Sequence, residues 1–384
     1  MKILHSADWH LGRTLHGASL LEDQRHVLAQ FVALARAEAV DAVVVAGDLY
    51  DRSVPPADAV ALLDEVLAQL VAEAGIPTIV IAGNHDSAER IGFGSRIFRE
   101  QGLHLRGTLD DLSPVRLRDA HGEVAFFPLP YIEPVFARAL PGGEGVSDHA
   151  SATAHVLALL RAQQRPGERH VLVGHAFVAG GSESESERPL SVGGSGAVAA
   201  DVYAGFDYVA LGHLHRPQTL GAGRIHYPGS LLKYSFNEAA HDKSVSLVEI
   251  GADGVPAIRR VPLRPRRDVR IVSGTLAELL SAPDPTRSRD DYLCAHLTDA
   301  GPVLDPMARL REVYPNMMEL QFVRPAAGTA GARAAGDALR RQPDELFRAF
   351  HRDMLGEELG ADALGIFNDS VRAVGADAAV GSGE

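Results

Sequence analysis

The sequence predicts an α/β protein in which strands alternate with helices and the sheet is covered on both faces. Short apolar runs of strand length recur through the first part of the chain, and amphipathic stretches of helix length separate them. Within segments such as DAVVVAGD at 41–48, the central residues AVVVA are continuously apolar, as is typical of strands that are buried on both faces. Polar residues directly follow several of these runs, which places candidate site residues at strand ends.

The predicted elements of the first domain begin in the order strand, helix, strand. Strands are predicted by the apolar runs at 1–7, 41–48, 77–84, 124–130, 170–175, 208–213, 225–230 and 244–250. Helices are predicted by the amphipathic stretches at 20–38 and 57–73. These elements suffice for one domain, which we assign to residues 1–262.

The remaining chain predicts two smaller units. An arginine-rich stretch at 256–270 indicates a hinge or an edge strand, and residues 263–325 then follow the order strand, helix, strand, helix, strand. The final unit, 326–384, begins in an Ala/Gly-rich stretch that is typical of a flexible linker. Two short amphipathic helices are predicted within it, at 344–355 and 363–374. Two short helices bury little apolar surface against each other, so we expect them to dock on another protein.

Composition and charge narrow the class of protein. The 384 residues are 46% hydrophobic and 23% charged, and no apolar run reaches the roughly 18 residues of a membrane span. The N-terminus is not a secretory signal, and the single cysteine, Cys294, fits a reducing compartment, so we expect a cytoplasmic protein without a membrane partner. The net charge of −13 disfavours a nucleic-acid partner unless basic residues are clustered.

Five short polar motifs follow predicted strands. They are Asp8-Trp9-His10, Gly47-Asp48-Leu49-Tyr50-Asp51, Gly83-Asn84-His85-Asp86, Gly174-His175 and Gly212-His213-Leu214-His215. Side chains at positions i and i+2 of an extended segment point to the same side, so each histidine of the last motif can reach one common site. Each motif alone is also explained as a turn, a helix cap or a buried histidine. Together they indicate a functional site at the carboxyl ends of the strands.

The residue types at these strand ends predict metal chemistry. Carboxylates, imidazoles and an amide oxygen suit Mn²⁺, Fe²⁺ or Zn²⁺, and there are more of them than one ion needs. A carboxylate can bridge two ions about 4 Å apart, an arrangement that serves phosphoester hydrolysis. A remaining histidine can protonate the leaving oxygen. The sequence therefore predicts a two-metal phosphoesterase.

The order D-x-H, GD-x-x-D, GNHD, GH, GHLH resembles the calcineurin-like metallophosphoesterase superfamily. The segments SADWHLGRTLHG, VAGDLYDRSVPP, AGNHDSAERIGFGS, SESERPLSVGG, GHLHRPQ and YPGSLLKYSFNEA further resemble the SbcD family of bacterial nuclease subunits. The resemblance is close over 1–250 and looser beyond. It implies a four-layer α/β/β/α sandwich, a small α+β DNA-capping domain at 263–325, and C-terminal helices in 326–384 that bind the ATPase SbcC.

The same resemblance implies a role for each site residue. One Mn²⁺ would be bound by Asp8, His10 and His215, the other by Asn84, His175 and His213, and Asp48 would bridge them. His85 would meet the phosphate and the leaving oxygen, and Asp51 would orient His85. We interpret Asp86 as a turn or cap residue. We expect Gly212 to allow the turn at the strand end and Pro217 to discourage a helix after it.

The implied function is that of a Mn²⁺-dependent DNA nuclease. It would be a 3′→5′ exonuclease on double-stranded ends and an endonuclease on hairpins and single strands, acting with SbcC in recombination, repair and replication at the bacterial nucleoid. The chain has no GxxxxGK[ST] motif, so ATP would act through the partner. The candidate DNA contacts are Arg52, Arg259, Arg260, Arg264, Arg266 and Arg267, although a solvated arginine-rich linker explains most of this set equally well.

A homodimer is also implied by the resemblance. A helix at 90–101 and the helix at 57–73 are the candidate dimer surfaces, and their apolar faces fit a core equally well. Two other functions stay open on the sequence alone. A phosphatase or cyclic-nucleotide phosphodiesterase for small substrates would need neither cap nor partner helices. A tethering subunit would not need cleavage, and the complete set of candidate ligands disfavours it.

Overall fold

A computed structural model of the chain describes residues 1–187, 196–281, 284, 286–301, 303–323, 343–355 and 358–380. The chain divides into two compact units, one formed by 1–297 with 303–321 and the other by 298–302 with 322–384. Within the described part of the chain, no helix is long and apolar enough to cross a membrane. The predicted linker at 325–338 lies outside the described residues. The predicted domain boundaries at 262 and 325 stay predictions.

The strands and helices are numbered in chain order. The strands are β1 Lys2–Ser6, β2 Thr14–Leu15, β3 Ala18–Ser19, β4 Ala42–Ala46, β5 Thr78–Ile81, β6 Leu103–Arg106, β7 Val115–Asp119, β8 Gly122–Pro128, β9 Arg169–His175, β10 Tyr208–Gly212, β11 Gln218–Leu220, β12 Ile225–Tyr227, β13 Ser244–Ile250, β14 Pro256–Pro262, β15 Val269–Gly274, β16 Tyr292–Leu297 and β17 Met317–Phe322. The helices are α1 Leu21–Ala37, α2 Ala57–Leu67, α3 Ala88–Ile91, α4 Ser95–Phe98, α5 Pro134–Arg138, α6 His149–Arg161, α7 Leu276–Ser281, α8 Pro306–Val313, α9 Pro343–Leu355 and α10 Ala361–Val380.

Two six-stranded sheets lie face to face in the first unit. Their strand orders are β14-β13-β1-β4-β5-β6 and β11-β12-β10-β9-β8-β7. The central strands β1, β4, β5 and β6 are parallel, and so are β8, β9, β10 and β12. Their carboxyl ends therefore meet at one edge of each sheet, where the polar motifs follow.

Alternation along the strands explains why they are apolar throughout. In β4, Val43 and Val45 belong to the core on the helix side, whereas Val44 packs into the core between the two sheets. Residues of α1 and α2 such as Phe31 cover the first sheet, and residues of α6 such as Leu160 cover the second. The resulting order of helix, sheet, sheet, helix confirms the four-layer α/β/β/α sandwich.

A smaller three-stranded sheet belongs mostly to the same unit. Its strands follow the order β15-β16-β17, and α7 and α8 pack on it through a core that includes Leu279, Leu293 and Leu310. Asp23 at the start of α1 anchors this sheet to the sandwich. The carboxylate of Asp23 is buried and accepts hydrogen bonds from Arg267 Nε at 3.0 Å and from the Tyr292 hydroxyl at 2.9 Å.

Some local predictions were wrong. The expected helix at 90–101 is broken into α3, α4 and a 3-10 turn at Arg99–Gln101, because Gly94 adopts a left-handed φ of +71° between them. Helix α6 was not predicted, although a capping box between Asp148 and Ser151 begins it. The arginine-rich stretch forms the edge strand β14, so the edge-strand alternative was the right one.

The two C-terminal helices lie in the second unit. Helix α9 is close to its predicted bounds, whereas α10 extends six residues beyond its predicted end at 374. The rings of Phe347 and Phe367 stack between the two helices with centroids 4.1 Å apart. Phe350 and Ile366 remain exposed. These helices therefore present apolar side chains to solvent as well as to each other.

Candidate metal centre

The polar motifs converge at the carboxyl edge of the two sheets. The loop after β1 is tied to the loop after β4 by hydrogen bonds from Asp8 N to Gly47 O at 3.1 Å and from His10 N to Asp48 O at 2.9 Å. His213 N, after β10, donates to Asp8 Oδ1 at 2.9 Å. The structure thus brings the motifs together through their main chains as well as their side chains.

The backbone at these positions is strained. Asp8, His10 and Asp48 have φ values of +53°, +44° and +51°, and His213 has +109°. Residues other than glycine rarely adopt positive φ, and such conformations concentrate at functional sites where the surrounding structure holds them. Half of the non-glycine residues with positive φ in the described chain lie in these loops. This concentration indicates that the loops after the strands form a functional site.

Glycine is required where the loops touch. A Cβ on Gly47 would lie 2.4 Å from His175 Nδ1, and one on Gly83 would lie 2.1 Å from Asp48 Oδ1. A Cβ on Gly212 would lie 2.0 Å from Ala46 O, so Gly212 is needed for close approach between the sheets. The expectation that Gly212 makes the turn was wrong, because the positive φ falls on His213.

One group of candidate ligands is formed by Asp8, His10 and His215. One ligand atom from each lies within 4.8 Å of the others, and all three residues are buried. The Nε2 atoms of His10 and His215 are 3.0 Å apart. This is the set that the resemblance assigns to the first ion.

A second group surrounds His175. Its Nε2 lies 2.9 Å from Asn84 Oδ1 and 3.5 Å from Asp48 Oδ2, and the ring of His213 packs edge-on at a centroid distance of 5.5 Å. Asp48 Oδ2 is also 3.7 Å from His10 Nε2, so this oxygen lies between the two groups. All seven predicted ligands therefore meet at one place, and their division between two ions stays a prediction.

His85 stands at the rim of the centre. Its Nε2 is 4.0 Å from Asp48 Oδ2, and its Nδ1 is 2.9 Å from the main-chain oxygen of Asp51. A carbonyl oxygen only accepts, so Nδ1 carries the proton and Nε2 faces the site. Asp51 therefore contacts His85 through its main-chain oxygen, whereas its carboxylate accepts from Arg13 Nη1 at 3.1 Å.

The electrostatics fit a divalent cation. Burial, reinforced by the neighbouring Asp48, holds the pKa of Asp8 well above its usual range. Burial lowers the pKa of His10 and His213 well below the usual value, so their imidazoles are neutral and offer lone pairs. His10 Nδ1 is buried without a hydrogen-bond partner among the described residues. Adjacent buried carboxylates and neutral imidazoles are the donor set that a bound dication stabilises.

Comparisons with known proteins agree with this geometry. Residues 1–217 match the calcineurin-like phosphoesterase model, and residues 265–354 match a model described as the type 5 capsule protein repressor C-terminal domain. The SbcD subunit of nuclease SbcCD from Staphylococcus saprophyticus subsp. saprophyticus is 38% identical over 321 residues, which are 83% of this chain and 84% of that protein. Its counterpart from Staphylococcus epidermidis is 35% identical over 324 residues, 84% of this chain and 86% of that protein.

The chain belongs to the SbcD family of calcineurin-like phosphoesterases. As a member of this family it is a metal-dependent phosphodiesterase, which confirms the predicted enzyme class and the use of divalent metal. Among solved structures, a dimetal phosphatase from Danio rerio is 15% identical, covers 70% of this chain and 97% of its own, and has a TM-score of 0.41.

The roles of two residues that shape this SbcD-family site, Asp86 and Gln24, were not predicted from the sequence. Asp86 accepts hydrogen bonds from Leu49 N, Tyr50 N and Gly83 N at 2.9 to 3.1 Å, so it joins two loops and does not merely cap a turn. Gln24 Nε2, on α1, donates to His10 O at 2.7 Å. Neither residue has a sequence spacing that signals its role.

A further missed cluster surrounds His215. It consists of Ser186, Glu187, Glu238 and Lys243, which come from the quoted SESER and FNEA segments and the chain just after them. Lys243 Nζ lies 2.5 Å from Glu238 Oε2. Burial alone would raise the pKa of Glu238, but the Lys243 ammonium and His215 outweigh burial, so the net effect is a lowered pKa. The only available signal was membership of the two segments in the family resemblance.

The predicted DNA contacts divide into two groups. Arg259 pairs with Glu38 at 2.7 Å and Arg267 pairs with Asp23, so their charges are already compensated within the protein. Arg52 is 77% exposed in its side chain and lies 3.8 Å from Asp51. Arg260, Arg264 and Arg266 are exposed, as Arg259 is, and they lie on the strand β14 or just beyond it.

Proposed function

We propose that this chain is the nuclease subunit of a bacterial SbcC–SbcD complex and hydrolyses DNA phosphodiester bonds with two Mn²⁺ ions. The observation that carries the proposal is the position of Asp48 Oδ2, 3.7 Å from His10 Nε2 and 3.5 Å from His175 Nε2. A carboxylate oxygen between two sets of buried ligands is what a pair of bridged ions requires. The two staphylococcal relatives, which are named as subunits of nuclease SbcCD, supply the substrate class and the partner.

The proposed ligands are Asp8, His10 and His215 for one ion, Asn84, His175 and His213 for the other, and Asp48 for both. When bound, two such ions polarise a phosphate and make water a nucleophile near neutral pH. The protein holds these ligands in place before metal arrives. His175 Nδ1 donates to Ala46 O at 2.9 Å, which leaves its Nε2 lone pair facing Asn84 and Asp48.

His85 is the proposed general acid. The main-chain oxygen of Asp51 holds its Nδ1–H, so only Nε2 can exchange a proton with the substrate. In the protonated ring, Nε2–H would donate to the oxygen that leaves as the phosphodiester bond breaks. Asp51 fixes the direction of the ring through its backbone, and its carboxylate holds Arg13 beside the site.

The DNA duplex would reach the site along β14, the edge strand of the first sheet. Strand β14 runs parallel to β1, because both pair antiparallel with β13, and Ser246 pairs with His5 on one side and with Arg260 on the other. The carboxyl end of β14 therefore lies on the same side of the sheet as the carboxyl ends of the strands that the candidate metal ligands follow. We propose that Arg52, Arg260, Arg264 and Arg266 contact the phosphates, with 263–325 acting as the capping domain.

Hydrolysis of linear duplex DNA with Mn²⁺ tests this function, with 3′→5′ exonuclease and hairpin endonuclease products expected. Asp48→Ala and His85→Ala should abolish cleavage, whereas His121→Ala changes an exposed histidine away from the site and should not. Strong hydrolysis of p-nitrophenyl phosphate with none of DNA would instead establish a small-substrate phosphatase. Full activity of Asp48→Ala would overturn the proposed centre.

Helices α9 and α10 are the proposed SbcC-binding segment of the unit 326–384. Phe350 and Ile366 are exposed on them and supply an apolar surface for a partner. A Phe350→Asp, Ile366→Asp double variant should lose SbcC in a pull-down while hydrolysis of bis-p-nitrophenyl phosphate persists. Retained SbcC binding would place the interface elsewhere. Through this partner the enzyme would act on DNA ends in recombination, repair and replication at the nucleoid.

A homodimer is proposed through the surface around α2, α3 and α4. Phe93 is 79% exposed and Ile97 is 75% exposed, and Val60 of α2 is exposed as well. Solvent-exposed apolar side chains of this size indicate a covered surface. A Phe93→Asp variant should sediment as a monomer at a concentration where the wild-type chain is dimeric.

A further inference from the structure

A cluster of buried polar residues forms hydrogen bonds to the ring of His215 and to its main chain. Its Nδ1 lies 2.6 Å from Ser186 Oγ, and the Ser186 hydroxyl in turn hydrogen-bonds Glu238 Oε1. Glu238 Oε2 lies 2.5 Å from Lys243 Nζ. All four residues are at most 9% exposed, and Glu238 is fully buried.

The direction of each hydrogen bond follows from the chemistry of the groups. Glu238, paired with the Lys243 ammonium, is a carboxylate and only accepts, so the Ser186 hydroxyl donates to it. The serine oxygen then accepts from His215, which places the His215 proton on Nδ1. The Nε2 lone pair is left open, and Nε2 is the atom that lies 3.0 Å from His10 Nε2.

The main chain of His215 is held by the same two segments. Glu187 Oε1 accepts from His215 N at 2.6 Å, and Lys243 Nζ donates to His215 O at 2.8 Å. Lys243 also donates to Ser230 Oγ at 2.8 Å, so its ammonium is fully engaged in this cluster. Two segments far apart in sequence therefore close around one proposed ligand.

We propose that Ser186, Glu238 and Lys243 are positioning residues that set the tautomer and direction of His215 for metal binding. This inference rests on the proposed function, since it assumes that His215 binds an ion. The rings of His175 and His85 are held at Nδ1 by carbonyl oxygens, which fix a tautomer without any titratable group: Ala46 O for the first and Asp51 O for the second. His215 instead depends on side chains, so its ion is the one that substitution can weaken selectively.

Ser186→Ala is the sharpest test, and Ser184→Ala is its matched control. Ser184 lies in the same loop and is 8% exposed against 9% for Ser186, but its hydroxyl has no hydrogen-bond partner among the described residues. Mn²⁺ binding is measured on the full chain without substrate, by calorimetric titration together with the electron paramagnetic resonance signal of free Mn²⁺. We expect the wild-type chain and Ser184→Ala to bind two ions with the same affinities.

Ser186→Ala should bind one ion about 10- to 100-fold more weakly and leave the other unchanged, as expected when the hydrogen bond behind a ligand is lost. Ser186→Thr, which keeps the hydroxyl, should restore the affinity. Glu238→Gln should weaken the same ion, with thermal unfolding in EDTA used to confirm that the variants fold. The ¹⁵N shifts of the apo wild-type chain should show His215 protonated at Nδ1. Because Glu238 Oε1 also lies 3.4 Å from His215 Nδ1, the Ser186→Ala, Glu238→Gln double variant should lose that preference.

Two different failures are distinguishable in this experiment. A wild-type chain that binds no Mn²⁺ would overturn the proposed function and the inference together. Two ions bound to Ser186→Ala with wild-type affinity would overturn the inference alone.

Discussion

Replacing Gly47 by alanine should inactivate the enzyme without unfolding it. The added Cβ would lie 2.4 Å from His175 Nδ1, and ordinary contact begins at 3.4 Å, so ring and loop must separate by the difference of 1.0 Å. A displacement of about 1 Å at a positioned group lowers catalysis roughly 100-fold. The φ of +88° adds roughly 1–2 kcal/mol of backbone strain for a residue with a Cβ.

Gly17→Ala separates these two effects. Gly17 has nearly the same φ, +85°, but no atom lies within 4 Å of the position of an added Cβ. Both variants should lose the free energy of unfolding that the backbone strain costs, and Gly47→Ala should lose more because of its added contact. Only Gly47→Ala should lose Mn²⁺-dependent hydrolysis of bis-p-nitrophenyl phosphate, measured as kcat/KM beside circular dichroism. If both variants cleave equally well, His175 does not depend on this contact and the reasoning is refuted.

Three further outcomes are expected. Burial lowers the pKa of His226 from 6.5 to about 4. As the pH falls, His226 therefore binds a proton in the unfolded chain before it does so in the folded chain. The free energy of unfolding should fall by up to about 3 kcal/mol as the pH is lowered from 6.5 to 4. His226→Gln should flatten that decline in urea titrations at several pH values. Asp86→Ala leaves three backbone N–H groups without their acceptor and should cost about 2 kcal/mol or more, measured by urea unfolding. Mn²⁺ in excess should raise the melting temperature of the wild-type chain, and EDTA should reverse the rise.

The sandwich was predictable because burial on both faces leaves a mark in every central strand. Val43, Val44 and Val45 alternate between two cores, and both cores demand apolar side chains. The strand pattern does not show whether a helix or a second sheet covers each face, because both require apolar side chains at the same positions. The second sheet as a partner came from the family resemblance alone.

The convergence of the candidate metal ligands was predictable for a related reason, since they follow strands whose carboxyl ends meet. The residues behind them were not. Glu238 contacts His215 Nδ1 at 3.4 Å and is also linked to it through Ser186. These three positions share no sequence spacing and no secondary-structure element. Gly212 shows the same limit, because its requirement comes from Ala46 O in the other sheet rather than from its own turn.

Two neighbouring residues of α1 give the enzyme a mechanical connection. Asp23 accepts hydrogen bonds from Tyr292 of the small sheet and from Arg267, which lies just before it in the chain. Gln24, the next residue, donates to the carbonyl oxygen of His10. The first turn of α1 therefore connects the small sheet to the loop that contains His10. A displacement of the small sheet can therefore reach the main chain of His10, a proposed metal ligand, through the side chains of Asp23 and Gln24.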